Sequence, residues 1–307
     1  MSIALDRRSA VASDSSTVAM AAAFVFLWST GFIGAKYGVP YAGAFTLLTL
    51  RFLLAAAILL PILAISRAPW PRSWADTGHI AVAGLLLNVG CLGSCFYAIS
   101  LGLPGGIVAV IGGLQPLLTG VLAGTFLGEK VSARQWLGLS LGFAGIVMVL
   151  SDKLSLGNAP AHAVVAAFLG LAGITLATLY QKRFCANVPL RGGAVIQLAA
   201  ASALTLPIAV YGEGFAVHWS PQLVLTLVWL AIALSIGALM LLWALVKRGA
   251  AAKVSSLFYL TPPTTAVMAW LLFDERFGAV ALAGMAVVVA GVALATREQP
   301  AAASTAS

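Results

Sequence analysis

Long apolar runs separated by short stretches rich in Lys, Arg, Pro or Gly dominate the chain. Ten such runs can be traced, at about 18–38, 42–65, 78–100, 104–127, 134–151, 162–181, 191–211, 222–246, 252–273 and 278–296. A helix of about 20 apolar residues crosses a ~30 Å hydrocarbon layer at ~1.5 Å per residue. A membrane barrel would instead show segments of ~10 residues with alternating polarity, and these runs do not alternate. The first 17 residues are polar and carry Arg7 and Arg8. The run that follows is long and has no small-residue cleavage motif at its end, so it reads as an uncleaved first span and not as a signal peptide. The pattern predicts an all-α polytopic membrane protein of about ten transmembrane helices.

Composition supports this. Of 307 residues, 61% are hydrophobic and 8% charged, with mean hydropathy +1.03, whereas a soluble domain carries about a quarter charged residues. The net charge of +8 does not imply a nucleic-acid partner, because the basic residues are scattered through short loops. Sorted by loop parity with the N-terminus inside, 13 of the 17 Lys and Arg fall on the cytoplasmic side. Three (Lys36, Lys153 and Arg276) fall opposite, and Arg51 lies within a span. Excess Lys and Arg in short loops marks the cytoplasmic face, so both termini are expected there. Cys91, Cys95 and Cys185 accompany no ligand cluster, so neither a metal nor a cofactor is expected. The partners implied are a small-molecule substrate and the lipid bilayer; monomer and homodimer stay open.

An internal repeat organises the spans. A shift of 146 residues superposes Lys36 on Lys182, Pro61 on Pro207, Leu114 on Leu260 and Pro116 on Pro262. It also brings Glu129-Lys130 onto Glu275-Arg276, Gly138 onto Gly284, and Ala144-Gly145 onto Ala290-Gly291. Ala and Leu matches come cheaply in such a chain; Lys, Pro and Glu at one offset do not. The units are 18–151 and 162–296, flanked by polar tails 1–17 and 297–307. Five spans per unit is an odd number, so the second unit enters the membrane inverted. Inverted repeats are characteristic of secondary transporters, with the site at the repeat boundary.

Several stretches resemble the EamA family of the drug/metabolite transporter superfamily. They are Leu27-Trp28-Ser29-Thr30-Gly31-Phe32, Leu50-Arg51-Phe52, and Gln115-Pro116-Leu117 leading to Leu127-Gly128-Glu129-Lys130. In the second half Leu260-Thr261-Pro262 and Phe273-Asp274-Glu275-Arg276 repeat the last of these, with the same 13-residue Pro-to-Glu spacing. The resemblance covers about residues 18–296. It implies a ten-helix transporter in the bacterial cytoplasmic membrane, with a central cavity lined by helices 1–4 and 6–9 and with helices 5 and 10 peripheral. Members move amino acids, other metabolites or drugs, so the expected function is export of small metabolites, with multidrug efflux or a channel or lipid-handling role as the alternative. The second half departs from the pattern at Gln197, which replaces the aligned Arg51, and at Thr175, which replaces Ser29.

Arg51 is the sharpest candidate for chemistry. It lies about nine residues into its span, where a charge costs at least ~2.5–3.5 kcal/mol and should face the bundle interior. Either a substrate carboxylate partners it, or it caps free carbonyls or serves as a gate. The other cavity candidates are Trp28, Ser29, Thr30, Asn88, Tyr97, Gln115, Thr175, Tyr180, Gln197, Trp243 and Tyr259, with Thr178 and Thr261 beside them. Polar groups at this depth must bond to something, and helix–helix bonding competes with substrate contact for each. Pro116, Pro262 and Pro263 are expected to kink or hinge helices 4 and 9. Glu129 and Glu275 end those helices and are expected in helix-end ion pairs or gates. Gly138 and Gly142 are spaced for close helix packing. An intramembrane enzyme is disfavoured, since Ser94 has no evident His partner, and a pore would show a charged or carbonyl-rich filter.

Overall fold

In the computed structural model the described residues are 2–66, 69–71, 73–115, 117–119, 122, 132–152, 158–185, 189–238, 241 and 260–296, and among them no strand occurs. The helices are α1 (Ser2–Ala42), α2 (Ala44–Ser66), α3 (Trp74–Ser100), α4 (Gly105–Gly112), α5 (Ala133–Ser151), α6 (Ala161–Phe184), α7 (Leu190–Glu213), α8 (Pro221–Ala238), α9 (Thr261–Phe273) and α10 (Ala279–Thr296). Among the described residues, six stretches are long and apolar enough to cross a membrane: Ala19–Ala42, Ala44–Ser66, Trp74–Ser100, Ala161–Gln181, Gly192–Glu213 and Pro221–Ala238. Shorter apolar helices accompany them at Gly105–Thr119, Trp136–Ser151 and Ala279–Leu294. Large side chains on the outside, such as Leu225 (70% exposed) and Phe143 (65%), form the apolar exterior that lipid requires. The protein is an integral, multi-pass helical membrane protein.

Helix boundaries follow local chemistry. Gly43, at φ +62°, makes the reversal between α1 and α2, a conformation that costs glycine nothing. Ser73 and Ser220 cap α3 and α8, accepting from the backbone N–H of Asp76 and Leu223. The start of α2 takes its cap from another helix. Glu213, the last residue of α7, accepts from the Phe45 and Thr46 N–H groups at 2.9 and 2.7 Å, and from Thr46 Oγ1 at 2.7 Å. A carboxylate at that helix N-terminus also meets the positive end of the dipole.

The repeats are related by reciprocal contacts. A methyl group on Gly145 (α5) would lie 2.6 Å from the Gly284 carbonyl oxygen, and one on Gly284 (α10) would lie 2.6 Å from that of Gly145. The shift of 146 exchanges Gly138 with Gly284 and Gly145 with Gly291, so a two-fold demands that Gly291 approach Gly138; a methyl on Gly291 would lie 2.8 Å from the Gly138 oxygen. Likewise α2 packs on α7 through a 2.8 Å bond between Thr49 and Thr205, and the reciprocal positions Val195 and Leu59 pack together with Leu63. The helices α2 with α7, and α5 with α10, thus meet their mates from the other repeat, as in an inverted pair.

In two places the backbone leaves α-geometry. Within α3, Leu85–Gly93 is a π-helix, and within α8 so is Leu230–Ala238. These segments are mates across the repeat, one residue off the 146 shift. The sequence gives no sign of them. Pro262 and Pro263, expected to kink or hinge helix 9, lie in the first turn of α9, where a missing N–H leaves no bond unmade. Pro116 and Glu129 lie outside the described residues, as do Trp243 and Tyr259.

Candidate functional site

A cavity of about 1230 Å³, open mouth included, lies between the repeats. Its lining comes from α1, α2, α3, α4 with the residues just after it, α6, α7, α8 and Thr261 of α9, and none of the lining residues belongs to α5 or α10. Those two helices are occupied with each other through glycine-to-glycine contacts, so they brace the assembly from outside. Small residues bring the wall helices close. A methyl on Gly173 of α6 would lie 2.6 Å from the Cys91 backbone nitrogen of α3, and one on Gly84 would lie 2.6 Å from Gln197 Cα of α7.

The wall is largely apolar, with Phe32, Leu92, Phe96 and Leu234 among its residues. Its polar members are few: Arg51, Asn88, Gln115, Gln197, Ser235 and Thr261, together with the indole of Trp28. Few polar groups in an apolar concavity are what a small-molecule site requires. Arg51 is 4% exposed. Its Nε donates to Ser235 Oγ at 3.1 Å, and Ser235 in turn donates to the Leu230 carbonyl five residues back, at 3.2 Å, within the π-segment of α8. The guanidinium carbon sits 5.8 Å from the Phe52 ring centre and 6.0 Å from that of Phe96. Arg51 Nη1 is buried and has no hydrogen-bond partner among the described residues, and the same holds for Thr261 Oγ1.

Of the candidates read from the sequence, Trp28, Arg51, Asn88, Gln115 and Gln197 come together on this wall. Gln115 also reaches Thr119 and Thr178, each at 3.2 Å. The others have occupations elsewhere. Ser29 is fully buried, with its hydroxyl 3.5 Å from the Thr261 carbonyl. Thr30 bonds the Leu27 carbonyl and accepts from the Trp229 indole at 2.9 Å. Thr175 bonds the Leu171 carbonyl at 2.7 Å, within its own helix. Tyr97 is 41% exposed and packs on Phe45. Tyr180 is hydrogen-bonded to His79 Nδ1 at 2.8 Å and packs with Phe184, away from the cavity lining. Ser235 is a further wall position, not among the candidates above, although the sequence marks it by a hydroxyl inside an apolar run.

A second polar focus lies where α1 meets the end of α9. Lys36 forms an ion pair with Glu275 and lies over the Phe273 ring, 4.3 Å from its centre. Tyr37 packs on the same ring at 4.7 Å. Glu275 is nearly buried while Lys36 is about one-third exposed, and Glu275 Oε2 has no partner among the described residues. No group of three or more His, Cys, Asp or Glu able to hold a metal occurs among the described residues.

Comparison with known proteins agrees with this architecture. The model of the EamA-like transporter family matches residues 15–151 and again 161–297. The chain is 26% identical over 283 residues to the "Uncharacterized transporter YvbV" of Bacillus subtilis, covering 91% of this chain and 90% of that protein. It is 27% identical over 274 residues to the "Uncharacterized inner membrane transporter YedA" of Escherichia coli K12, covering 89% and 88%. A "Probable amino-acid metabolite efflux pump" of the same strain is 24% identical over 283 residues, covering 87% and 90%. One solved chain, described only as "Crystal structure of protein", shares the fold with a TM-score of 0.60 at 19% identity, over 92% of this chain and 97% of that one.

Proposed function

The chain belongs to the EamA-like transporter family, and from that premise we propose that it is a secondary exporter of small organic solutes working by alternating access between its two inverted repeats. The observation that carries this reading is the cavity itself. It lies between two repeats that share reciprocal contacts, and it is walled by elements of both. A two-fold-related pair of five-helix units has two equivalent ways to tilt, and each opens the shared cavity to one side.

Within this reading, Trp28, Arg51, Asn88, Gln115, Gln197 and Ser235 meet the solute. The Lys36–Glu275 pair, with Phe273 and Tyr37 packed around it, holds α1 against α9 and closes one end. The π-segments of α3 and α8 contribute Asn88 and Ser235 to the wall, and such segments are frequent at functional sites. The membrane is the bacterial cytoplasmic one with both termini inside, supported by the 13-to-3 excess of basic residues in loops of one parity. Export is favoured by the kinship with a protein named as an efflux pump.

The test is counterflow in proteoliposomes of purified protein, across a panel of organic acids, amines and neutral solutes. At least one labelled solute should accumulate against its unlabelled form faster than in protein-free vesicles. Folded protein that moves none of them would overturn the reading.

A further inference from the structure

The cavity is electrically one-sided. Among the described residues, Arg51 is the one charged side chain lining it. No acid of the chain lies within residues 15–75, 77–128, 153–212 or 214–273. The acids on the wall helices are Asp6 and Asp14 near the start of α1, Asp76 in the first turn of α3 and Glu213 at the end of α7, and none of them is among the described lining residues. Among the described residues Arg51 forms no ion pair. Its Nε donates to a neutral hydroxyl, and Nη1 is buried with no hydrogen-bond partner among the described residues. Unmade bonds on a buried charged group are costly, and nearly all such groups have partners. A cation kept at that expense, beside a cavity, is short of an anion.

We propose that the cavity selects small organic anions, taking a carboxylate on the free end of the Arg51 guanidinium and an apolar body against Phe32, Leu92, Phe96 and Leu234. This rests on the transporter reading above and narrows its substrate class. A guanidinium presents parallel N–H donors that match the two oxygens of a carboxylate. Ser235 holds Nε and so fixes the direction in which the rest of the fork points. Asn88, Gln115 and Gln197 supply neutral donors and acceptors for uncharged polar groups on the ligand. An ammonium finds no counterion among the described lining residues and is repelled by Arg51 at short range in a low-dielectric setting. Monoanions are thus preferred over zwitterions, and zwitterions over amines.

The order of preference separates this inference from generic solute transport. It is tested with 3-phenylpropionate, its sulfonate counterpart, 3-phenylpropanamide, phenylalanine and 3-phenylpropylamine, which share one apolar body. Affinity is read by thermal shift and by isothermal titration on detergent-purified wild type, Arg51→Lys and Arg51→Gln, each first checked for monodispersity. The carboxylate should bind at least about ten-fold more tightly than the amide or the amine, as expected for one charge-assisted contact. That preference should vanish in Arg51→Gln and survive in part in Arg51→Lys. A sulfonate that binds as well as the carboxylate widens the class to oxyanions in general and still supports the anion site. Equal binding of amine and carboxylate, or a carboxylate preference unchanged in Arg51→Gln, overturns the anion assignment while leaving the counterflow result untouched. Should Arg51→Gln fail to fold, Arg51→Lys and the wild-type ranking still decide the matter.

Discussion

Two basic residues of this protein, Lys36 and Arg51, are treated in opposite ways. Lys36 on α1 is paired with Glu275 and stacked on Phe273, so its charge is met by chain and ring together. Arg51, one helix away and more deeply buried, meets a serine hydroxyl and lies over two phenylalanine rings, and its Nη1 has no hydrogen-bond partner among the described residues. A paired charge at the end of a helix holds two elements together. An unpaired charge at a cavity wall lacks a partner in the ground state, and a ligand can supply one. On the proposal above, the two residues divide the work of a transporter, with Lys36 at a closure and Arg51 at recognition.

The largest effect that should separate them comes at Arg51. Arg51→Gln is expected to lower carboxylate flux on the order of 10- to 100-fold while protein yield and elution stay normal. Counterflow kinetics check it, and unchanged flux would place Arg51 in a structural role. Glu275→Gln comes next. Loss of a fully buried partner costs about 3–5 kcal/mol, but Lys36 remains partly exposed, so about 1–2 kcal/mol of stability is expected, read as a lower Tm. The exchange Lys36→Glu with Glu275→Lys should recover most of that loss; no recovery would mean the pair does not act as a pair. Ser235→Ala should weaken carboxylate binding about three- to ten-fold by freeing the Arg51 fork, with maximal flux little changed. Tyr180→Phe is the smallest. It removes the bond to His79 at a site away from the cavity, so Tm should fall slightly and solute affinity should not move. A shift in affinity would put Tyr180 back on the solute path.

Much of the fold is visible in the sequence because apolar runs of membrane length leave few readings. Span edges agree with the helices to within a few residues for α2, α5, α6, α7 and α10, and the spacing of Gly138 and Gly142 on α5 marks the face that Gly291 of α10 approaches. The site was legible only in part. Arg51, Asn88 and Gln197 stand out because polar groups are rare at that depth. Thr175 and Tyr180 give the same signal but turn elsewhere, because a helix that is apolar all round carries no moment to tell which face looks inward. The π-segments were hidden because a one-residue slip in backbone bonding is decided by packing and not by residue type. The Glu213 cap on α2 was hidden for a related reason: it joins residues 168 and 167 positions apart, and no local pattern announces it.

The division between Arg51 and the Lys36–Glu275 pair is most directly tested by a single ratio. Counterflow of 3-phenylpropionate and of 3-phenylpropanamide is measured in wild type, Arg51→Gln and Glu275→Gln, and the carboxylate-to-amide ratio of kcat/KM is taken for each. That ratio should be about ten or more in wild type, fall to about one in Arg51→Gln, and stay near the wild-type value in Glu275→Gln even where flux itself changes. A ratio preserved in Arg51→Gln, or lost equally in both variants, would contradict the assignment of recognition to Arg51 and closure to the ion pair.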